Sequence, residues 1–321
     1  MNIKVKNLSA GIFIVSINEP KTYNSLSFKN LNDLIKVFKK LNKDKKTKVI
    51  ILEGSGKGFS AGHNLKEVKS LKGKNISKVI INEPETYNSL SSKNLIDLIK
   101  VFKKLDNDKN IKVIIIEGAG KGFSAGHNLK EVKSLKIRNK YQKLFNLCSK
   151  LMIQIVEGKK PVIAKVHGAA YAAGCQLVAS CDLAYSTKDA LFATPGVNIG
   201  LFCSTPMVAV SRKINRKAMM KMLLTGEPIK ANYAKEIGLI NDCFNKSELN
   251  RKVLKIARKI ASKSNLTIKI GKQTFYKQLE MPLRKAYTYT SKMMTINMMA
   301  LDAQEGISAF LEKRKPIWKN K

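Results

Sequence analysis

Apolar and polar positions along this chain follow two periods, short runs with strand character and longer stretches at helical spacing. An apolar, β-rich run at Ile12–Ile17 stops at Asn18, Glu19 and Pro20, a turn signal. Leu31, Leu34, Ile35, Phe38 and Leu41 then share one helical face. A short buried-type run at residues 49–52 follows, and after it a glycine-rich turn and a second helical stretch. The whole series returns 64 residues later. Residues 79–81 repeat the first run, Leu95, Leu98, Ile99, Phe102 and Leu105 the helical face, and residues 113–116 the buried run. Strand–helix–strand–helix order predicts right-handed crossovers and a mainly parallel or spiral α/β arrangement.

The repeat is close to identity. Val15-Ser-Ile-Asn-Glu-Pro-Lys-Thr-Tyr-Asn-Ser-Leu-Ser27 matches Val79 to Ser91, and Gly56-Lys-Gly-Phe-Ser-Ala-Gly-His63 matches Gly120 to His127. Solenoid repeats keep only a spaced consensus and need three or more copies, so this is a partial duplication. Residues 1–72 form the surplus copy, residues 73–228 the working core and residues 229–321 a helical C-terminal segment. One core has room for one such unit, and the second copy has the shorter loop to the downstream chain. The second copy is therefore expected in the core, with the strand at Ile12–Ile17 lending it the sheet edge that it lacks.

After the repeat, residues 138–156 read as a helix, residues 161–166 as a buried strand, residues 175–180 as a helix and residues 182–186 as a strand. From Lys230 on the pattern is mostly helical. Met293, Met294, Met298 and Met299 are expected in a core or a subunit contact.

Composition sets limits on this picture. The formal charge is +37, yet only seven of the sixty basic residues are arginine, the better reader of phosphates and bases. Lysine is spread along every segment with Asn and Ile, residues that share A+T-rich codons. That argues for compositional bias and against a nucleic-acid partner, while the positive field still favours a polyanionic ligand. The most apolar stretch, residues 161–181, is interrupted by Lys165 and His167, so no membrane span is expected. The first residues carry no apolar signal core, which leads us to expect a cytoplasmic protein. Five cysteines without a CxxC pair read as free thiols, with no metal site.

Two places join a strand end, small residues and a helix start: Phe123-Ser-Ala-Gly-His127 and Ala169-Ala-Tyr-Ala-Ala-Gly174. Such turns leave backbone N–H groups without helical partners and aim the positive end of a helix outward. Facing one another, they would hold a thioester oxygen between two donors and stabilise an enolate. Each alone is equally a tight turn in a parallel sheet.

Taken in order, Pro84 with Asn88-Ser-Leu90, Phe123-Ser-Ala-Gly with Leu129-Lys-Glu131, residues 160–168, Gly174-Cys-Gln-Leu177 with Cys181-Asp182, and the closing Glu305 to Arg314 resemble the crotonase superfamily of enoyl-CoA hydratases and isomerases. Residues 192–206 and 271–279 resemble one branch whose animal members are mitochondrial, which makes the mitochondrial matrix the alternative location. The resemblance implies an α/β fold, a crotonase-like spiral of ββα turns with a helical C-terminal segment that makes trimers, often paired into hexamers. It implies an acyl-CoA or enoyl-CoA as substrate or ligand, with no separate cofactor. Its two oxyanion N–H groups fall on His127 and Ala173. Lys130 matches a position near the coenzyme A phosphates, and Lys313 one that reaches a neighbouring subunit's nucleotide.

The chain departs from that pattern where hydratases carry two glutamates: here stand Gln176 and Gly196. An amide cannot exchange a proton near neutral pH, and glycine has no side chain to do so, so hydration should be weak or absent. The His127 ring either packs or supplies a base, and His63 duplicates it. His167 is expected to be structural. Two readings stay open: an enzyme with altered or residual chemistry, and a non-catalytic acyl-CoA binder.

Overall fold

The structure is a computed structural model that describes residues 2–9, 12–22, 24, 26–44, 46–55 and 75–321. The chain divides into two compact units, Met1–Lys74 and Asn75–Lys321. His63 and the glycine-rich turn of the first copy lie outside the described residues.

In the first unit β1 (Ile3–Ser9) pairs antiparallel with β2 (Ile12–Ile17), and β2 pairs parallel with β3 (Val49–Gly54). Between β2 and β3 runs α1 (Phe28–Lys43), started by Ser27, whose side chain accepts from the Asn30 N–H. Ile3, Val15, Ile17, Leu34 and Leu41 form its core. The expected loan of an edge strand to the second copy does not occur, because β2 is held between β1 and β3.

The second unit repeats that start with β4 (Ile76–Ile81), α2 (Ser92–Asn107) and β5 (Val113–Gly118). It continues through α3 (Leu129–Leu135), α4 (Arg138–Glu157), β6 (Val162–Val166), β7 (Ala169–Tyr171), α5 (Ala173–Ser180), β8 (Leu183–Thr187) and β9 (Leu191–Ala193). Then come α6 (Ser204–Val210), α7 (Arg216–Thr225), β10 (Ile229–Lys230), α8 (Ala231–Glu236) and β11 (Asp242–Phe244). Four helices close it: α9 (Lys246–Ala261), α10 (Asn265–Gln278), α11 (Leu283–Met298) and α12 (Leu301–Leu311). A five-stranded, wholly parallel sheet runs β11-β8-β6-β5-β4, and β10-β9-β7 form a small second sheet. The segment after residue 229 is therefore not purely helical: two short strands tie it to β9 and β8.

The duplicated strands differ sharply in environment. In β5, Val113, Ile114, Ile115 and Ile116 are 0–1% exposed, whereas Val49, Ile51 and Leu52 of β3 are 37–48% exposed. The two faces of β5 meet different partners. Ile114 and Ile116 pack with Leu95, Leu98 and Leu151, and Val113 and Ile115 with Leu249, Val253 and Ala257 of α9. Burial on both faces is what a central parallel strand requires. Full burial of each such side chain favours folding by about 1.5–3 kcal/mol.

Candidate functional site

The site is built around Asn88, fully buried and left-handed at φ 55°. Its Nδ2 donates to the carbonyls of Ala119 at 2.7 Å and Gly122 at 2.8 Å, and its Oδ1 accepts from the Glu83 N–H at 3.0 Å. Ser124 Oγ donates to the Asn88 carbonyl at 2.9 Å and accepts from the Gly126 N–H at 3.3 Å. One asparagine thus holds the loop that leads into the turn carrying His127, and through Ser124 the start of that turn. Asn24 repeats the arrangement in the first unit, donating to the Ser55 carbonyl at 2.6 Å and accepting from the Glu19 N–H at 3.0 Å.

The two predicted turns are stitched together. Phe123 and Ser124 N–H groups donate to the Ala169 carbonyl at 3.0 and 3.1 Å, and the Tyr171 N–H donates to the Ser124 carbonyl at 2.9 Å. Two glycines permit the approach. A Cβ on Gly126, at φ +91°, would stand 3.1 Å from the Ala173 nitrogen, and one on Gly174 2.2 Å from the Ser124 carbonyl oxygen. Ala172 holds φ 48°, ψ −116°, a conformation normally left to glycine, at a cost on the order of 1–3 kcal/mol. Ala172 is the residue just before the first N–H of α5, at Ala173. Among the described residues neither the His127 nor the Ala173 N–H donates to a protein acceptor. The two turns thus abut and each keeps one amide donor open.

The His127 ring packs edge-on to Phe145, with centroids 5.6 Å apart, and its Nδ1 lies 3.0 Å from the Leu90 carbonyl. A carbonyl only accepts, so Nδ1 carries the proton and Nε2, buried and unpartnered, is left with a lone pair. Burial lowers the His127 pKa, against smaller opposing effects of the Leu90 carbonyl and Glu131. Asn128 caps α3 by accepting from the Lys130 and Glu131 N–H groups, at 3.1 and 3.2 Å, and Glu131 in turn accepts from the Ser92 N–H at the start of α2. Lys130 is exposed on the first turn of α3.

One helical turn beyond Ala173 sits Gln176, buried, with its Oε1 3.8 Å from Cys148 Sγ. Gly196 lies in the 3-10 turn Pro195–Ile199, just past β9, which meets the second turn where the Ala172 N–H donates to the Ala193 carbonyl at 2.9 Å. A Cβ there would stand 2.7 Å from the Leu201 carbonyl oxygen and 2.9 Å from Cys203 Sγ. The position is closed by backbone, not merely missing a carboxylate. His167 Nε2 donates to the Gly120 carbonyl at 2.9 Å, a structural contact as expected. Lys313, exposed at φ 54° after α12, touches none of these residues. All five cysteines are buried and unpaired, and burial pushes Cys148 and Cys175 up to about 12, which leaves no thiolate at the site.

The sequence reading missed the clamp role of Asn88, although its Asn-Ser-Leu context was in view. It also missed the strain at Ala172, for which alanine gives no signal.

Comparison with known proteins decides the family. The enoyl-CoA hydratase/isomerase family model matches twice, at residues 7–74 and 71–321. The chain belongs to the enoyl-CoA hydratase/isomerase family. Enoyl-CoA hydratase domain-containing protein 3, mitochondrial, of Homo sapiens is 47% identical over 243 residues, covering 76% of this chain and 80% of that protein. A probable mitochondrial enoyl-CoA hydratase of Dictyostelium discoideum is 31% identical over 251 residues, 77% of this chain and 88% of that one. Among solved structures, human enoyl Coenzyme A hydratase domain-containing protein 3 superposes with a TM-score of 0.71 at 37% identity, covering 99% of this chain and all of that one. The enoyl-CoA hydratase of Mycobacterium smegmatis gives 0.69 at 34% identity, covering 99% of each. The family's crotonase fold is the fold expected from the motifs.

Proposed function

We propose that this chain binds acyl- or enoyl-CoA thioesters of fatty-acid metabolism, with the thioester oxygen held between the His127 and Ala173 N–H groups. The observation that carries the reading is the pair of open amides on turns stitched at Ser124, Ala169 and Tyr171. Lys130 suits the coenzyme A phosphates, and the strongly basic chain attracts such a polyanion. Lys313 is assigned to a neighbouring subunit's nucleotide in a trimer or a hexamer. Large apolar side chains on the C-terminal helices support such contacts: Leu283, Tyr287, Met294, Met299 and Phe310 are 61–82% exposed. The described residues form no helix long and apolar enough to cross a membrane. Relatives named mitochondrial support the mitochondrial matrix over the cytoplasm.

Chemistry beyond binding is limited by proton transfer. Two positioned carboxylates would supply roughly 10²–10⁴-fold each, and Gln176 and Gly196 supply none. A second reading, a non-catalytic acyl-CoA binder, is favoured by the backbone closure at Gly196. Calorimetry with crotonyl-CoA and longer acyl-CoAs, beside a hydration assay, tests both. Ala173→Pro deletes one donor, at the first residue of α5, and should abolish thioester binding. Unchanged affinity in a folded Ala173→Pro protein would refute the oxyanion site.

A further inference from the structure

A groove of about 1160 Å³ opens between α4, α5, α6 and α10. It follows the face of α5 that carries Gln176, Ala179 and Ser180, so it begins one helical turn from the Ala173 N–H. Met152, Ile153 and Val156 make one wall apolar. Near the C-terminal end of α5 the lining changes character, with Lys213 and Tyr276 facing the cavity.

Two lysines, Lys272 and Lys213, meet one carboxylate there, Asp182, while the carboxylates that line the groove itself, Glu157 and Glu280, form no ion pair with either lysine. Asp182 accepts from Lys272 Nζ at 2.7 Å and from the Val162 N–H at 2.7 Å, and the Tyr276 hydroxyl is bonded to it as well. Lys272 is further fixed on the carbonyls of Ile155 and Lys160, at 2.8 and 2.9 Å. One carboxylate therefore serves a buried, fully engaged lysine. Lys213 stands beside this group, its Nζ 5.2 Å from the centroid of the Tyr276 ring, and among the described residues it has no carboxylate within ion-pair distance. Its burial lowers its pKa, with Asp182 and Cys181 acting against that. Of the other cations at the rim, Arg212 lies 3.6 Å from Glu280, and Lys277, which like Lys213 rests on a ring (Tyr289, 5.0 Å), is exposed to solvent where Lys213 is half-buried. A half-buried ammonium without a counter-ion is costly until an anion meets it.

We propose that the groove receives a medium-length acyl chain that ends in a carboxylate, with Lys213 as the counter-ion. This rests on the acyl-CoA reading above, since the thioester at the Ala173 N–H places the chain at the mouth of the groove. Length follows from the helix. Eight residues of α5 span about 12 Å, and an extended chain advances about 1.25 Å per carbon–carbon bond, which puts the distal group roughly ten bonds from the thioester. The apolar wall covers the methylenes, and the terminal carboxylate replaces the missing partner of Lys213.

The test uses the full chain and three probes in calorimetry: dodecanedioyl-CoA (one thioester, one free carboxylate), dodecanoyl-CoA and glutaryl-CoA. The wild type should bind dodecanedioyl-CoA at least about tenfold tighter than dodecanoyl-CoA, with glutaryl-CoA too short to gain. Lys213→Met should bring that ratio close to one, and Lys213→Arg should keep it. Equal affinity for the two long thioesters, or a preference that persists in a folded Lys213→Met protein, overturns this inference alone. No binding of any thioester overturns it together with the reading on which it rests.

Discussion

Replacing Asn88 by alanine isolates the clamp that shapes the first turn, and the duplication provides its control. The change leaves the Ala119 and Gly122 carbonyls and the Glu83 N–H without their partner in a fully buried setting. Hydrogen bonds of this kind contribute roughly 1 kcal/mol each net, and an orphaned buried group costs about 1–3 kcal/mol. Water can enter the loosened loop, so a loss of about 2–4 kcal/mol is expected. The single tryptophan, Trp318, donates from its indole N–H to the Ser262 carbonyl at 2.8 Å, so its fluorescence reports on the second unit. In urea the Trp318 transition of Asn88→Ala should move down by about 1 M or more. Acyl-CoA affinity should fall by at least about tenfold, because Gly126 and His127 follow the clamp. Asn24→Ala removes the matching bonds to Ser55 and Glu19 in the first unit and should leave both readouts in place. If Asn24→Ala abolished binding while Asn88→Ala kept it, the assignment of the site to the second copy would be wrong.

A glutamate at Gly196 would be driven into the Leu201 carbonyl, so Gly196→Glu should lower the thermal midpoint and give no hydration of crotonyl-CoA, alone or with Gln176→Glu; a clear gain in turnover from the pair would contradict the closure. His127 is held neutral by burial, so its folded pKa lies below its unfolded value of 6.5. The stability it contributes is present above that unfolded value and is lost as the pH falls through the folded one, so His127→Gln should flatten the acid side of a stability profile below about pH 6.5; an unchanged slope would refute a pKa lowered by burial. A fragment of residues 75–321 should fold on its own, with Trp318 fluorescence like that of the full chain, and should bind acyl-CoA; an unfolded fragment would show that the first unit is required.

The two turns could be read from the sequence because small residues at a strand–helix junction have few other uses. The same logic could not reach Ala172, whose strained φ is imposed by β7, β9 and Ser124 around it. Gly196 read as a lost carboxylate, whereas the structure shows a loop whose backbone fills that space. The strands β10 and β11, two and three residues long, fall below what periodicity detects. Nor could pattern separate β3 from β5, since one apolar run serves equally for an edge and for a centre. Lys213 was one lysine among many until Asp182 and Lys272 were seen to satisfy one another.

The near-identity of β3 and β5 has a kinetic side. During folding, β6 must choose β5 as its neighbour, with Ile114 opposite Val162, while a segment of almost the same sequence waits 64 residues further away. The longer loop is a little over twice the shorter, which disfavours the wrong partner by only about 0.7 kcal/mol. Early encounters therefore favour the right copy by a factor of a few at most. A chain that first docks the upstream segment has to release it before β5 can take its place, a search error written into the primary structure itself. Stopped-flow refolding followed by Trp318 should show a slower phase in the full chain that the fragment of residues 75–321, which has no decoy to offer, lacks.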